Sequence, residues 1–392
     1  MSGSGSERTR IVHAGRTPER QAGAVNPPVY HASTILFPTV ADLLAPPKHP
    51  LETVRYGRRG TPSTFAFQEA VAELEGGDRC LSYPSGLAAI TGTFLAFLET
   101  GDHVLIADTV YGPTRAVANG LLARMGVETT FYDPAVGSGI ADLIRPETKL
   151  VFTEAPGSLT FEMMDIPAVA AAARARGVTV AMDNTWASPH FFKPFAHGVD
   201  VAIQAATKYI VGHSDAMLGT VTVKDSHFEP LYKAWEQLGY AAAPDDIYLA
   251  QRGLRTLAVR LDQHQKTALE LARWFQSRPE VERVLYPALE TDPGHAIWKR
   301  DFLGASGLFG VVLKPVSREA LAAMLDNMAY FAMGYSWGGY ESLMIPAFPQ
   351  KLRTATRWDA EGPLLRIHAG LEDVADLIGD LEAGFARLAA AG

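Results

Sequence analysis

Cysteine is almost missing from this 392-residue chain: Cys80 stands alone, which rules out an internal disulfide and any metal centre built on several thiolates. Set in an apolar stretch, Cys80 reads as a small core residue rather than a nucleophile. No apolar run reaches the ~20 residues that a bilayer-spanning helix requires, so no membrane partner is expected. The opening decapeptide MSGSGSERTR holds no apolar segment and reads as a flexible start, not a secretory signal. With the lone cysteine, this points to a reducing cytoplasm. Long blocks of like charge are also missing. The net charge of −8 comes from 35 basic and 43 acidic residues that are dispersed along the chain, which argues against nucleic acid as the main partner. The 11 histidines show no H-E-x-x-H spacing, and no metal is expected. No G-x-G-x-x-G follows an early strand with an acid suitably downstream, so a dinucleotide-binding reading also fails.

What is present is an ordinary globular composition, 47% hydrophobic and 20% charged, in a chain long enough for two domains. Residues 1–60 read as an arm. Pro27, Pro28, Pro38, Pro46, Pro47 and Pro50 break any long helix, yet Val29, Tyr30, Ile35, Leu36 and Phe37 are too apolar to stay in water. Such an arm packs against something, often a neighbouring subunit. Residues 61–253 alternate short apolar runs with helical stretches, and the strand candidates are 103–108, 127–132, 149–154, 178–183, 201–204 and 219–223. One helix between strands is well marked: Asp165 suits the N-cap, Pro167 the first turn and Gly177 the C′ position. This alternation predicts a mostly parallel sheet covered on both faces, with ligands beyond the carboxyl ends of its strands. Residues 254–392 are richer in helical periodicity, with Val374, Leu377, Ile378, Leu381 and Phe385 at helical spacing and one strand candidate at 307–313. The fold class is therefore α/β, a large domain with a mostly parallel sheet of seven-stranded type followed by a smaller α+β domain.

Three short segments carry chemistry. Lys208 follows an apolar strand and is flanked by small residues in Ala205-Ala206-Thr207-Lys208-Tyr209. Desolvation lowers a lysine's pKa, and a lysine able to lose its proton can form a Schiff base. A lysine taken alone is far more often a surface residue, so its company decides. Asp183 ends the preceding apolar strand, where a carboxylate faces the ligand crevice and can partner a protonated pyridine nitrogen; its competing reading is a helix N-cap. Ser85-Gly86-Leu87 opens a helix of small residues after Pro84, and free backbone N–H groups there form an anion site. Tyr111, after the strand at 103–108, is placed to lay its ring on a flat cofactor, although a lone loop tyrosine more often only packs. A phosphate cup, a stacking ring, an acid for a ring nitrogen and a Schiff-base lysine make up the set that pyridoxal 5'-phosphate requires.

These residues resemble the trans-sulfuration, or Cys/Met-metabolism, family of fold-type I pyridoxal-phosphate enzymes. The similarity runs from Tyr56 to the last helix. It rests on Met182-Asp183-Asn184-Thr185-Trp186, Ala206-Thr207-Lys208-Tyr209 and Gly212-His213-Ser214-Asp215. The resemblance implies that Lys208 carries the cofactor, Asp183 pairs with its ring nitrogen and Tyr111 stacks on the ring. Gly86, Leu87 and Thr207 then hold the phosphate, joined by Tyr56 and Arg58 from a neighbouring subunit. Arg366 takes the α-carboxylate of an amino-acid substrate, and Tyr56, Tyr111, Tyr335, Ser336 and Trp337 line the substrate side. From pattern alone, 336–339 is a simple turn. The family implies a homotetramer, a dimer of dimers with shared active sites.

Subgroup features point to β-elimination: Ala155-Pro156-Gly157-Ser158 after Glu154, Gly112-Pro113-Thr114 after Tyr111, and Tyr335 where γ-lyases tend to place an acid. The implied reaction cleaves L-cystathionine to homocysteine, pyruvate and ammonia, a carbon–sulfur lyase activity that extends to cysteine S-conjugates, with Lys208 and Tyr111 as catalytic residues. The alternatives are a γ-synthase or γ-lyase of the same family and a non-catalytic ligand sensor on the same fold.

Overall fold

The computed structural model describes residues 5–47 and 49–392; residues 1–4, part of the expected flexible start, and Lys48 lie outside the described residues. The first sheet has seven strands: β1 (Arg79–Tyr83), β2 (His103–Ala107), β3 (Glu128–Tyr132), β4 (Thr148–Glu154), β5 (Thr179–Asp183), β6 (Val201–Gln204) and β7 (Gly219–Val223). Their order is β1-β7-β6-β5-β4-β2-β3. Only β7 runs against its neighbours, antiparallel to both β1 and β6; the remaining pairs are parallel. Every residue of β2, β6 and β7 is buried, which is why these strands read as apolar runs without alternation. Cys80 is buried in β1, and burial pushes its thiol up to about 12, so it is chemically quiet.

The helix Ile166–Arg174 shows how local chemistry sets an element's ends. Asp165 Oδ1 accepts from Ala168 N at 3.1 Å, and Val178 N and Gly177 N donate to Ala173 O and Arg174 O, each at 3.0 Å. With Gly177 at φ +67°, this is a Schellman ending.

The second sheet contains β8 (Val281–Leu285), β9 (Leu308–Leu313), β10 (Leu343–Ala347) and β11 (Leu364–His368), all antiparallel in the order β10-β11-β9-β8. The two sheets are fastened together by Asp108, just past the end of β2. Its carboxylate accepts from the backbone N–H groups of Thr354 (3.0 Å), Ala355 (3.1 Å) and Thr356 (2.8 Å), and pairs with Arg115. Burial pushes the Asp108 carboxyl up. The donors of Thr356 and Thr354, with Arg115, outweigh it and hold the group below the usual carboxylate range. Arg353 in the same segment pairs with Glu162 at 2.7 Å.

The beginning of the arm packs on its own chain. Ile11 is buried in the helix Glu7–His13, and Arg255 Nη1 donates to Ile11 O (3.1 Å) and Ala14 O (2.8 Å). Further along, Leu36 (89% exposed), Val40 and Leu44 find no cover among the described residues. Among the described residues no helix is long and apolar enough to cross a membrane.

Candidate active site

Strands β2, β4, β5 and β6 run parallel, so their carboxyl ends share one edge of the sheet, where doubly wound folds bind ligands. The β4–β5 register sets Glu154 directly beside Asp183. Asp183 is 6% exposed. Thr185 donates to its Oδ1 twice, from N at 3.0 Å and from Oγ1. No donor among the described residues meets Oδ2, which leaves an acceptor open to a ligand. Burial raises the Asp183 carboxyl, partly opposed by Thr185 and Lys208. Glu154 rises well above its ordinary range through burial and the neighbouring Asp183, although Tyr111 N donates to its Oε2 at 2.8 Å.

Lys208 sits in the turn that leaves β6, held by Lys208 N to Ala205 O (3.0 Å) and Gly212 N to Lys208 O (2.7 Å). Its Nζ donates to Ser336 Oγ and lies 5.3 Å from the centre of the Trp337 ring. Burial lowers this ammonium to about 8, with the Arg366 charge adding to the fall and Asp183 opposing it. A primary amine in this state is a base and a nucleophile near neutral pH.

Arg366, on β11, faces the same space. Its Nη2 donates to Ser336 O at 2.8 Å and to Gly334 O at 3.3 Å, while Nε and Nη1 meet no acceptor among the described residues. The segment 334–339 is bent tightly: Ser336 has φ +77° and Gly338 φ +89°. A Cβ on Gly338 would stand 3.0 Å from Lys208 Cα and C, so only glycine lets the turn rest on the lysine's backbone.

Gly86 and Leu87 open the helix Gly86–Phe97, capped by Ser85 Oγ accepting from Ala88 N at 3.1 Å. The N–H groups of Gly86 and Leu87 belong to the first turn, where no intrahelical acceptor exists. A Cβ on Gly86 would come within 2.5 Å of the Ala205 side chain, so this cup is pressed against the Lys208 turn. Thr207 Oγ1 donates to Leu218 O at 3.1 Å and accepts from Leu218 N at 2.9 Å; its single hydroxyl proton is shared between that carbonyl and any anion placed there.

Tyr111 precedes the helix Gly112–Val117 and leaves much of its ring open. Burial of its hydroxyl and the charges of Asp183 and Glu154 push the phenol up, with Arg366 opposing, so the hydroxyl keeps its proton. Tyr335 is 93% exposed. Tyr56 and Arg58 do not join this cluster within one chain. Tyr56 bridges back to Thr34, and Arg58 Nη1 donates to Glu236 O at 3.2 Å.

The structure thus gathers Lys208, Asp183, Tyr111, Ser336, Trp337 and Arg366 around the helix start at Gly86. Sequence reasoning gave Glu154, Gly338 and His368 no place in the site. Glu154 carried the same signal as Asp183, an acid closing an apolar strand. His368 was accessible from the two-residue strand period, which puts it on the face of Arg366.

The residues fit pyridoxal phosphate on structural grounds alone: a desolvated amine, an unpartnered carboxylate oxygen and an open helix start converge. The comparisons agree. The family model for Cys/Met metabolism PLP-dependent enzymes matches residues 8–386. Cystathionine beta-lyase MetC of Escherichia coli (strain K12) is 46% identical, covering 97% of this chain and 98% of its own. An L-alanine/L-glutamate racemase of Wolbachia pipientis wMel is 42% identical, covering 97% of each chain. The crystal structure of metB from Corynebacterium glutamicum superposes with a TM-score of 0.90 at 31% identity, covering 98% of this chain and 99% of that one. A match spanning nearly every residue, on a site built for this cofactor, places the chain in the Cys/Met metabolism family of PLP-dependent enzymes.

Proposed function

We propose that the chain is a carbon–sulfur lyase that cleaves L-cystathionine on the β side to homocysteine, pyruvate and ammonia, and accepts related cysteine S-conjugates. The observation that carries this reading is the meeting of a basic Lys208 Nζ and the open fork of Arg366 at one turn, 334–339. Pyridoxal phosphate, when bound, supplies a carbonyl for amines and an electron sink for charge left on the substrate's α-carbon. Asp183 Oδ2 would hold its ring nitrogen. The N–H groups of Gly86 and Leu87 with Thr207 would hold its phosphate, and Tyr111 would cover its ring. Lys208 would anchor it and, once released by the substrate amine, take the α-proton at Nζ. Arg366 orients the substrate by its α-carboxylate. The departing sulfur takes a proton from Lys208 Nζ or from Tyr111 Oη, whose raised pKa keeps it a donor.

Incubation with L-cystathionine is expected to release pyruvate, identified as its hydrazone. Formation of 2-oxobutyrate and cysteine would instead assign the chain to the γ-acting branch. Untouched cystathionine with racemised L-alanine would align it with the activity named for the Wolbachia relative.

The reading extends to assembly and place. Residues 61–253 form the cofactor domain and 254–392 the small domain. The arm, 1–60, delivers Tyr56 and Arg58 to a neighbouring copy in a homotetramer of two such dimers. The exposed Leu36, Val40 and Leu44 support this, because apolar side chains of an irregular segment need a surface to cover. A reducing cytoplasm accords with one buried, unpaired cysteine. Lys208→Ala and Arg58→Ala proteins, each weak alone, are expected to regain activity when unfolded together and reassembled. With random pairing, half the dimers are mixed and one site in two is intact, so recovery approaches about one quarter of the wild-type rate. No recovery despite proven subunit exchange would return Arg58 to its own chain.

A further inference from the structure

Ser336 holds a left-handed backbone conformation, φ +77°, that a residue with a side chain adopts only when its surroundings over-determine it. Three side chains fasten the surrounding segment. Arg366 Nη2 holds the carbonyls of Gly334 and Ser336. Glu372 accepts from Ser342 N at 2.7 Å and Ser342 Oγ at 2.8 Å. Between them stands His368, 1% exposed, whose Nε2 accepts from Gly338 N at 3.1 Å and whose Nδ1 lies 3.1 Å from Glu341 O. A carbonyl can only accept and an N–H only donate, so Nδ1 carries the proton and Nε2 is bare. The ring is neutral and in one tautomer. Behind it, the His264 ring lies 5.2 Å and the Tyr209 ring 5.9 Å away, and Tyr209 is also 5.4 Å from Trp337. His368 is thus the only one of the three that grips Gly338, the residue resting on the Lys208 backbone.

We propose that His368 is a positioning residue for substrate, clamping the turn 336–339 so that Ser336, Trp337 and the guanidinium of Arg366 present one preformed pocket beside Lys208. The assignment rests on the reading above that this turn and Arg366 receive the substrate. His368 itself touches no reacting atom. Asp183, Thr207 and the helix start at Gly86 are held by other contacts, and the Lys208 backbone is fixed by Ala205 O and Gly212 N, so cofactor retention does not depend on the imidazole.

The test compares wild type, His368→Ala and His368→Asn, each loaded with cofactor for kinetics and cofactor-free for hydrogen exchange read by mass spectrometry. An alanine leaves the Gly338 N–H without its acceptor, a loss expected to raise KM for cystathionine about tenfold while kcat falls less than about threefold. Cofactor content stays at the wild-type level, and amide exchange speeds up in the peptide 334–342 but not in 178–185. Asparagine puts its amide at the place of Nδ1, so it restores the bond to Glu341 O but not the acceptor for Gly338 N–H, and it should fall between the other two proteins on both readouts. Unchanged KM and unchanged exchange in His368→Ala overturn the proposal. So does a parallel collapse of kcat, KM and cofactor content, the mark of a purely structural residue. Should the alanine variant fail to fold, the asparagine protein decides alone by the same two readouts. A wild-type protein without lyase activity would overturn the functional reading, while the exchange arm would still decide whether His368 clamps the turn.

Discussion

Replacing Lys208 by alanine is expected to cut turnover of every amino-acid substrate by about 10⁴-fold or more, since one group is asked to serve as nucleophile and as general base. Arginine at the same position should do no better: a guanidinium cannot lose its proton in this environment. Among the described residues, the structure makes Lys208 the one lysine with the required state. Its amine is pushed down to about 8 by burial with help from Arg366, and it lies beyond the strand adjacent to the one that ends in Asp183. Lys193 is also lowered by burial, but Glu7 pairs with it at 3.1 Å and opposes the fall. Borohydride treatment of the yellow holoenzyme should therefore fix the cofactor on a peptide containing Lys208. Label on any other lysine, or a turnover loss below tenfold in Lys208→Ala, would move the chemistry elsewhere.

Arg366→Lys should lower kcat/KM by about 100-fold despite conserving charge. Two things are lost together. The planar fork that can take a carboxylate through two parallel N–H groups becomes a point charge. The bond from Nη2 that holds Ser336 O at 2.8 Å also disappears, which loosens the turn on the substrate side. Because every amino-acid substrate carries an α-carboxylate, the loss should be similar for cystathionine, cystine and shorter cysteine S-conjugates. Near-normal kinetics with all three would mean that another group receives the carboxylate; a loss with cystathionine alone would place Arg366 on its distal amino-acid end.

Strands β2 and β4 to β7 of the first sheet were legible because both of their faces are covered, which leaves a continuous apolar run that few other elements produce. β8 and β10 escaped notice for a physical reason. Both are edge strands of the second sheet. β8 carries two adjacent charges, Glu282 and Arg283, between Val281 and Val284, and β10 contains Pro346, which only an edge tolerates. In the site, Asp183 and Lys208 announced themselves as polar groups at the ends of apolar strands. Gly86 was recognisable as a helix start, but its close approach to Ala205 involves a residue more than a hundred positions away and leaves no local trace. The turn at 336–339 read as an ordinary turn, since nothing in Ser-Trp-Gly-Gly reveals that its purpose is to lie against Lys208. Which surface the arm packs against was not legible, and its first segment lies on its own chain, where Ile11 is buried. One buried isoleucine among charged residues is too small a signal to say which surface covers it.

The Asp108 fastening has a consequence for how the molecule is made. Its partners Thr354, Ala355 and Thr356 lie 246 to 248 residues further along the chain, so these bonds close a loop that spans most of the protein. Contacts of such sequence separation contribute to high contact order and form only after the loop entropy has been met by structure on both sides. The first sheet, complete by Val223, can assemble as the chain emerges from synthesis, with the Gly86 cup, Asp183 and Lys208 already in place. Arg366 and the turn over Lys208 arrive later, delivered by a strand hairpin whose connecting segment Asp108 then seizes. A chain that has not reached this last step holds the residues proposed to bind cofactor but has nothing to grip an amino acid.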